Sequence, residues 1–593
     1  PSLLVKLIFH SPNDMVASSS KPQPSSSQKL FISCLVILSF SLFLLVFSFK
    51  PKRFCNNLGP KVNIVTPRRF PRAITTPKTN VNLSLLSSSH HNLILDLIRD
   101  RLDDRFRRIK VGLVNVDDSL GRDQYEGIST MQGLVETVHV LFDPVNTTWE
   151  ELFPEWIDED QKRGPRRCPV IPMPKAGANY DDLDVVLAKV PCDGGKGKGG
   201  IRDVFRLQVN LVVANLAVIA RGANDRMVHV VFEGSCGPMT ELFRCDDLVA
   251  HEEDHWVYKP DLTRLRQKVA VPVGTCEIAP PHLLPSSGKE KYLRHTSNHK
   301  HQRTAYVTVL HSSEAYICGA IALAQSIRQT NSSKELVLLH DSSIGPDSVD
   351  GLRSAGWNTR LIRRIRSPFA KRSSYNEWNY SKLRIWELTD YDKLIFIDAD
   401  ILVLRNIDHF FAYPQFSASP NDGVIFNSGI MVIEPSECMF KDMMMKTSTL
   451  VPYNGGDQGF LNEIFTWWHR LPKKLNHLKI FVKESDKNRR RKHQLPDHIY
   501  AIHYLGLKPW TCYRDYDCNW DMADRQVYAS DSAHRRFWDV YDAMPKQLQR
   551  YCGLTATMDA RISKWRGVAK GAGFPDGHWK IRVRDPRRLR LPL

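Results

Sequence analysis

The segment Leu394–Leu404, LIFIDADILVL, constrains the fold more than any other part of the chain. Its apolar continuity reads as a buried strand, which needs a layered structure around it. Two aspartates, Asp398 and Asp400, interrupt the run. Residues i and i+2 of an extended strand point the same way, so two carboxylates are expected side by side at a strand end. They repel unless something positive sits between them. A divalent cation does that, and hard oxygen ligands suit Mn²⁺ or Mg²⁺. A pair of solvent-facing caps is the plainer alternative.

The surroundings fit an α/β architecture. Within 110–280, VGLVNV, TVHVLF, DVVLAKV and MVHVVFEG read as buried strands, and VFRLQVNLVVANLAVIARG as a helix ending at Gly222. A second α/β unit starts near Arg303 with a strand (RTAYVTVLHS), a helix (EAYICGAIALAQSIRQT) and a strand ending in an acid (ELVLLHD). YSKLRIWEL reads as a helical turn or two. Residues 281–302 are polar and basic and read as a linker. PCDGGKGKGG at 191–200 lacks the Gly-Lys-Ser/Thr ending of a phosphate loop and reads as a surface loop. The basic ending, 556–593, shows little core and is expected to wrap the surface as a tail.

The first hundred residues place the chain. Leu30–Phe49 is an uncharged apolar run, long enough as a helix to cross a bilayer, and is expected to be a signal anchor. A tail (1–29) precedes it; the chain opens on Pro1, and Met15 heads an ordinary short cytosolic tail. A stem (50–109) follows. Within it, Leu95, Ile98, Leu102, Phe106 and Ile109 form a helical stripe, either packed on the next domain or pairing two copies as a short coiled coil. Basic residues flank the anchor on both sides, and read alone would leave the body cytosolic. Sequons at Asn82, Asn146, Asn331 and Asn379 favour a lumenal body instead. The lumen permits disulfides, and Cys512 and Cys518, the nearest pair in sequence there, are expected to bridge.

Composition narrows the function. The chain is globular in type, 42% hydrophobic and 25% charged, which excludes wholly disordered and polytopic membrane classes. Its net charge of +18 favours acidic partners. No basic stripe interleaves with aromatics, and NRRRKH at 488–493 reads as a solvated loop, so nucleic acid is not an expected partner.

Three further stretches sharpen the acids. FNSGIMVIEPS sets Asn427-Ser428-Gly429 at the opening of a strand. YNGGDQGFLNEIF presents Asp457 and Gln458 after a glycine turn and before a helix. HYLGLKPW places His503, Gly506 and Lys508 in one loop, with Pro509 forbidding a helix. An imidazole can complete a site begun by two carboxylates, and an ammonium suits a diphosphate. Together and in this order, the four stretches resemble glycosyltransferase family 8, the glycogenin-like retaining enzymes, over roughly 303–520. Within that family the chain is similar to the plant enzymes of glucuronic acid substitution of xylan. KVGLVNVDDS, RDVFRLQVNLVVANLAVIA, HYLGLKPWTCYRDYDCNW and DGHWKIRVRDPRR carry the closer likeness.

The resemblance implies a Rossmann-like nucleotide-sugar domain of GT-A type (303–555), behind a second α/β domain and a transmembrane helix. It implies a Golgi type II membrane protein that moves glucuronic acid from UDP-glucuronate onto xylan. Asp398, Asp400 and His503 would hold Mn²⁺, and Lys508 would reach the diphosphate, with Ala399 and Gly506 beside them. Val309, Leu310, His311 and Tyr316 would meet uracil and ribose, and Lys382 the donor. Asn427 and Gln458 would contact the sugar, and Asp457 would sit near the anomeric carbon or acceptor. Two departures stand out: Asn454 replaces glycogenin's aspartate before the paired glycines, and the loop is one residue shorter between Gly506 and Lys508. Transfer of glucose or galactose to another acceptor, as in glycogenin or galactinol synthase, stays open. If glucuronate is the donor, its carboxylate calls for a cation, and Arg360, Arg363, Arg364, Arg366, Lys371 and Arg372 before Lys382 are the candidates.

Overall fold

Two β-sheets form where the sequence alternates apolar runs with helical segments. The computed structural model describes residues 108–116, 135–160, 164, 167–175, 180–192, 202–220, 227–280, 302–421, 424–481 and 493–590. The anchor segment, the tail before it, Asn82, the stem to residue 107, most of 191–200, the linker and most of the 488–493 loop lie outside them. None of the described helices is long and apolar enough to cross a membrane.

The first sheet contains β1 (Ile109–Val114), β2 (Val135–Val140), β3 (Val185–Lys189), β4 (His229–Glu233), β5 (Leu248–Glu252) and β6 (His255–Tyr258). Their order is β2-β1-β3-β4-β6-β5, with β1 to β4 parallel and β5 and β6 added as an antiparallel hairpin. Helix α1 (Val204–Ala220) covers it, as the apolar run predicts, with Leu207, Leu211, Ala214 and Ala217 buried. Two expectations change, and two elements are added to those expected. Ile109, placed at the end of a helical stripe, opens β1 instead, because it is buried beside Val185 and Val231 in the sheet core. β2 is half exposed rather than buried, because it is the edge strand. The β5–β6 hairpin (LVAHE, HWVY) and helix α2 (Leu262–Val269) went unread, since their polar residues mask the period. The α2 N-terminus is capped by Asp261, which accepts from the Thr263 and Arg264 amides.

The second sheet contains β7 (Thr304–Leu310), β8 (Glu335–His340), β9 (Asn358–Leu361), β10 (Lys393–Ile397), β12 (Ser417–Pro420), β13 (Phe426–Ile433) and β14 (His469–Arg470), ordered β14-β12-β13-β10-β7-β8-β9. β10, β7, β8 and β9 run parallel, and β13 lies antiparallel to β10. Helices α3 (Ile317–Gln329) and α4 (Pro346–Ser354) follow β7 and β8. A small third sheet joins β11 (Ile401–Val403), β15 (His477–Leu478) and β16 (Ala501–His503) in the order β11-β16-β15.

LIFIDADILVL is therefore two strands in two sheets, not one strand broken by acids. Residues 398–400 turn, with the Ile401 amide donating to the Asp398 carbonyl at 3.1 Å. The chain leaves the large sheet at the acids because β11 pairs instead with β16.

The two domains share buried contacts. Trp467 of the second lies in the hydrophobic core of the first. Arg244 and Lys393 converge on Glu434 at 3.0 and 3.3 Å, and Cys245 is bridged to Cys438. Lys268 donates to the Gln415 carbonyl at 2.8 Å. The basic ending is anchored rather than draped. Helix α5 (Ala556–Gly571) buries Ile562 against Tyr513 and Tyr516, and the buried Arg587 donates to the carbonyls of Trp510 and Cys552. This basic residue is spent on backbone carbonyls in the interior, which composition does not reveal.

Candidate active site

A cleft of about 440 Å³ opens at the carboxyl ends of β7 and β10. Of the residues singled out in sequence, Val309, Leu310, His311, Tyr316, Lys382, Asp398, Ala399, Asp400, Asn427, Asp457, Gln458 and His503 line it. Gly506 and Lys508 do not. Gly506 shapes the loop: its φ is +75°, and a Cβ there would meet the Asn519 side-chain oxygen at 2.3 Å. Lys508 turns onto Asp400, 2.6 Å away, and onto the Tyr504 carbonyl. An ammonium beside a buried carboxylate offsets the cost of burying that charge.

The acids converge by register rather than by strand alternation. In the β11–β16 ladder Ile401 opposes His503, and the Tyr504 amide donates to the Asp400 carbonyl at 3.0 Å. One ligating atom from each of Asp398, Asp400 and His503 lies within 4.8 Å of the others. His503 Nε2 is 3.4 Å from Asp400 Oδ1. Two carboxylates and an imidazole form a donor set that fits a divalent cation.

A residue that carried no sequence signal fixes the imidazole. Asn476, buried at 1% exposure, places its Oδ1 3.2 Å from His503 Nδ1. Its Nδ2 donates to Asn427 Oδ1 at 2.7 Å, which also accepts the Gly429 amide at 2.9 Å. Because a backbone N–H can only donate, the Asn427 oxygen is identified, and with it the orientation of Asn476. Its Oδ1 then accepts from Nδ1–H, and the lone pair of His503 is left on Nε2, facing Asp400. Asn427, expected on the sugar, is spent on this network and on Asn421. Gly429 is required for a steric reason: a Cβ would stand 2.8 Å from the His503 ring.

Lys382 organises the other half. It is buried, with Nζ 2.6 Å from Asp457 Oδ2 and 3.1 Å from Asp398 Oδ1, and it donates to Ser428. Burial opposes its charge, but the two carboxylates more than offset this and raise its pKa. Burial pushes Asp457 upward too, yet Lys382 and the Ser428 hydroxyl hold it below the usual carboxylate range. Burial, with the neighbouring Asp400, raises Asp398 above the usual carboxylate range in spite of Lys382. Asp400 is held low by Lys508 against its burial. Gln458 accepts the Ser428 amide at 3.2 Å and donates to the Tyr453 hydroxyl at 2.6 Å. Ser428 and Tyr453, like Asn476, stand outside the residue types that announce catalysis.

The basic segment before Lys382 resolves as well. Arg360 pairs with Asp390 and Arg366 with Glu377, while Arg363, Lys371 and Arg372 are exposed. Arg364 lies over the Trp378 ring at 3.9 Å and 3.4 Å from Ser312 and Asp341; Trp378 and Ser312 line the cleft. Asn379 also lines the cleft, whereas Asn146 and Asn331 are exposed. Cys512 and Cys518 are bridged as expected. That bridge removes Cys512 from a second cluster with Asp517 and His534, so no metal set forms there.

Family comparison gives this geometry a chemical context. Residues 307–417 match the model of glycosyl transferase family 8, and residues 84–276 that of the GUX1-5 N-terminal domain. UDP-glucuronate:xylan alpha-glucuronosyltransferase 2 of Arabidopsis thaliana is 49% identical over 82% of this chain and 82% of its own length. Number 1 of that series is 47% identical over 80% of this chain and 72% of its own. The chain belongs to the UDP-glucuronate:xylan alpha-glucuronosyltransferase family. The Arabidopsis thaliana protein numbered 5 in the series is 52% identical over 95% of this chain and 98% of its own. A solved structure of the galactosyltransferase LgtC with donor and acceptor sugar analogs aligns at TM-score 0.31 and 16% identity, over 42% of this chain and 99% of its own. As a family 8 glycosyltransferase, the chain has its Asp-Ala-Asp turn, buried lysine and aspartate in a single cleft.

Proposed function

We propose that the protein transfers glucuronic acid from UDP-glucuronate to xylan, leaving α-linked branches. The observation that carries the reading is the Asp398–Asp400–His503 set joined through Lys382 to Asp457 at one cleft, in a chain of this family. Mn²⁺ is the proposed ion. When bound, such an ion takes up phosphate charge as UDP departs.

The protein's own residues supply the rest. Asp398, Asp400 and His503 would hold the ion, and Asn476 orients the His503 imidazole for it. Lys382 keeps Asp457 ionised. An anion is useful because an α-linked donor giving an α-linked product passes through an oxocarbenium-like state whose positive charge Asp457 stabilises. With attack and departure on one face, the departing phosphate oxygen accepts the acceptor's proton, and no strong base is needed. From the basic segment we propose Arg364 as the group that meets the donor's carboxylate, since it stacks on Trp378 and reaches Ser312 at the cleft edge, beside Asp341.

We also propose a Golgi location, with Leu30–Phe49 as anchor and the body in the lumen. The bridges Cys168–Cys276, Cys192–Cys236, Cys245–Cys438, Cys318–Cys552 and Cys512–Cys518 support an oxidising compartment, as do the exposed Asn146 and Asn331 sequons.

The test is a donor screen: purified protein, Mn²⁺, a xylo-oligosaccharide and each UDP-sugar in turn. UDP-glucuronate should give a product and the neutral sugars little or none. A preference for UDP-glucose or UDP-galactose would replace this reading with the galactinol-synthase-like one.

A further inference from the structure

One wall of the cleft, lined by Ser373 to Asn376 and Asn454, has no role in the donor reading above. Two loops build this wall. One, at 371–379, precedes the turn that carries Lys382; the other, at 449–456, leads into the helix that begins at Asp457. They are fastened together: Asn376 Nδ2 donates to the Asn454 carbonyl at 2.7 Å, and Ser367 Oγ to the Gly455 carbonyl at 2.7 Å. Gly456 packs so closely that a Cβ would lie 3.0 Å from the Asn376 side chain. The wall is thus a joined surface rather than two independent loops.

On its outward side Tyr453 is 59% exposed and Val451 67%, whereas Tyr375 turns into the cleft, which it lines together with its hydrogen-bond partner Tyr316. Large apolar side chains are normally withdrawn from solvent, and their grouping beside a functional cleft marks a contact surface. Tyr453 is tied to the chemistry directly, since its hydroxyl accepts from Gln458 Nε2 at 2.6 Å. Gln458 in turn accepts the Ser428 amide, and Ser428 donates to Asp457. The Tyr453 ring is thereby linked through Gln458 and Ser428 to the anion assigned to the anomeric carbon.

We infer that Tyr453, flanked by Val451, forms a platform for the acceptor, a neutral polysaccharide chain. This rests on the transferase reading above. Tyrosine offers a rigid amphipathic face at low entropic cost, and pyranose rings present C–H faces to stack on it while keeping their hydroxyls wet. Asn376 and Asn454, at the seam, are amides suited to sugar hydroxyls. The 449–456 loop that carries Tyr453 bears no charge, which suits a neutral xylose backbone, while the exposed Lys371 and Arg372 stand on the other loop.

The platform is tested by binding and by turnover. The full chain, with UDP and Mn²⁺ present, is titrated with xylohexaose, cellohexaose and mannohexaose. Tyr453→Ala should weaken the hexaose that binds the unaltered protein about tenfold, which is ~1.4 kcal/mol. Tyr453→Trp should restore most of it, because stacking and not the hydroxyl carries the contact. In transfer assays the unaltered protein should gain in kcat/KM as the acceptor lengthens, and Tyr453→Ala should lose that gain mainly through acceptor KM. Equal hexaose affinity in Tyr453→Ala and the unaltered protein, or no hexaose binding by the unaltered protein, overturns the platform. Hexaose binding with the expected Tyr453 dependence, but no transfer from UDP-glucuronate, would instead refute the donor reading and leave the platform standing.

Discussion

Asn476→Ala should loosen the proposed metal site without touching a ligand. Asn476 is fully buried and makes two hydrogen bonds, one with each of His503 and Asn427. The Asn427 oxygen keeps the Gly429 amide as partner, so the loss falls on His503. A buried N–H left without an acceptor costs about 1–3 kcal/mol. The imidazole can escape that cost by moving its proton to Nε2, but this removes the lone pair the ion requires. Either way, metal affinity should fall by about 10–100-fold, or ~1.4–2.7 kcal/mol, the usual cost of losing an outer partner of a ligating histidine. Asn476→Asp retains an acceptor for Nδ1–H and should lose less. The assay is calorimetric titration of the purified protein with Mn²⁺, alongside thermal unfolding in chelator to separate folding loss from binding loss. Equal Mn²⁺ affinity in Asn476→Ala and the unaltered protein would refute the tautomer argument.

Other perturbations follow from the same contacts. Asp398→Asn or Asp400→Asn should abolish transfer, and chelator should do the same to the unaltered protein with recovery on adding Mn²⁺; full turnover in chelator would remove the metal role. Although burial disfavours its charge, His578 between Asp531 and Asp576 is raised to about 9 by their hydrogen bonds, so its contribution of order 2 kcal/mol, allowing for screening, is complete below its ordinary value near 6.5 and lost as pH rises through 9. Chemical unfolding across that window should show the decline, and His578→Phe should flatten it. Cys245→Ser with Cys438→Ser removes the bridge between the domains and should cost about 2–4 kcal/mol in non-reducing unfolding; an unchanged midpoint would mean that Trp467 and the Glu434 pairs hold the domains unaided.

How much of this was legible follows from what sequence records. Strands β1, β3 and β4 of the first domain and the acids of the second were plain because burial leaves continuous apolar runs and a charge inside one is conspicuous. The path of LIFIDADILVL was not, because the partner that draws Ile401–Val403 away lies about a hundred residues on, at Ala501–His503. Pairing at that distance leaves no local mark. Asn427, Gln458 and Asp457 were found through their glycine-rich settings, but where their hydrogen bonds go depends on Asn476, Ser428 and Tyr453, residue types common everywhere. Lys508 was read as a phosphate ligand from its loop; its contact with Asp400 depends on how β16 sits against β11. The basic ending misled because charge counts do not say whether an arginine faces water or, like Arg587, a set of buried carbonyls.

The most direct test of the central claim is the product itself. The purified protein is incubated with UDP-glucuronate, Mn²⁺ and xylohexaose, and the product is read by mass spectrometry and by the anomeric proton in NMR. The expected product is xylohexaose carrying a single added glucuronosyl unit in α linkage, absent when Asp457 is replaced by Asn. A β-linked product, or equal yield from the Asp457→Asn protein, would contradict it.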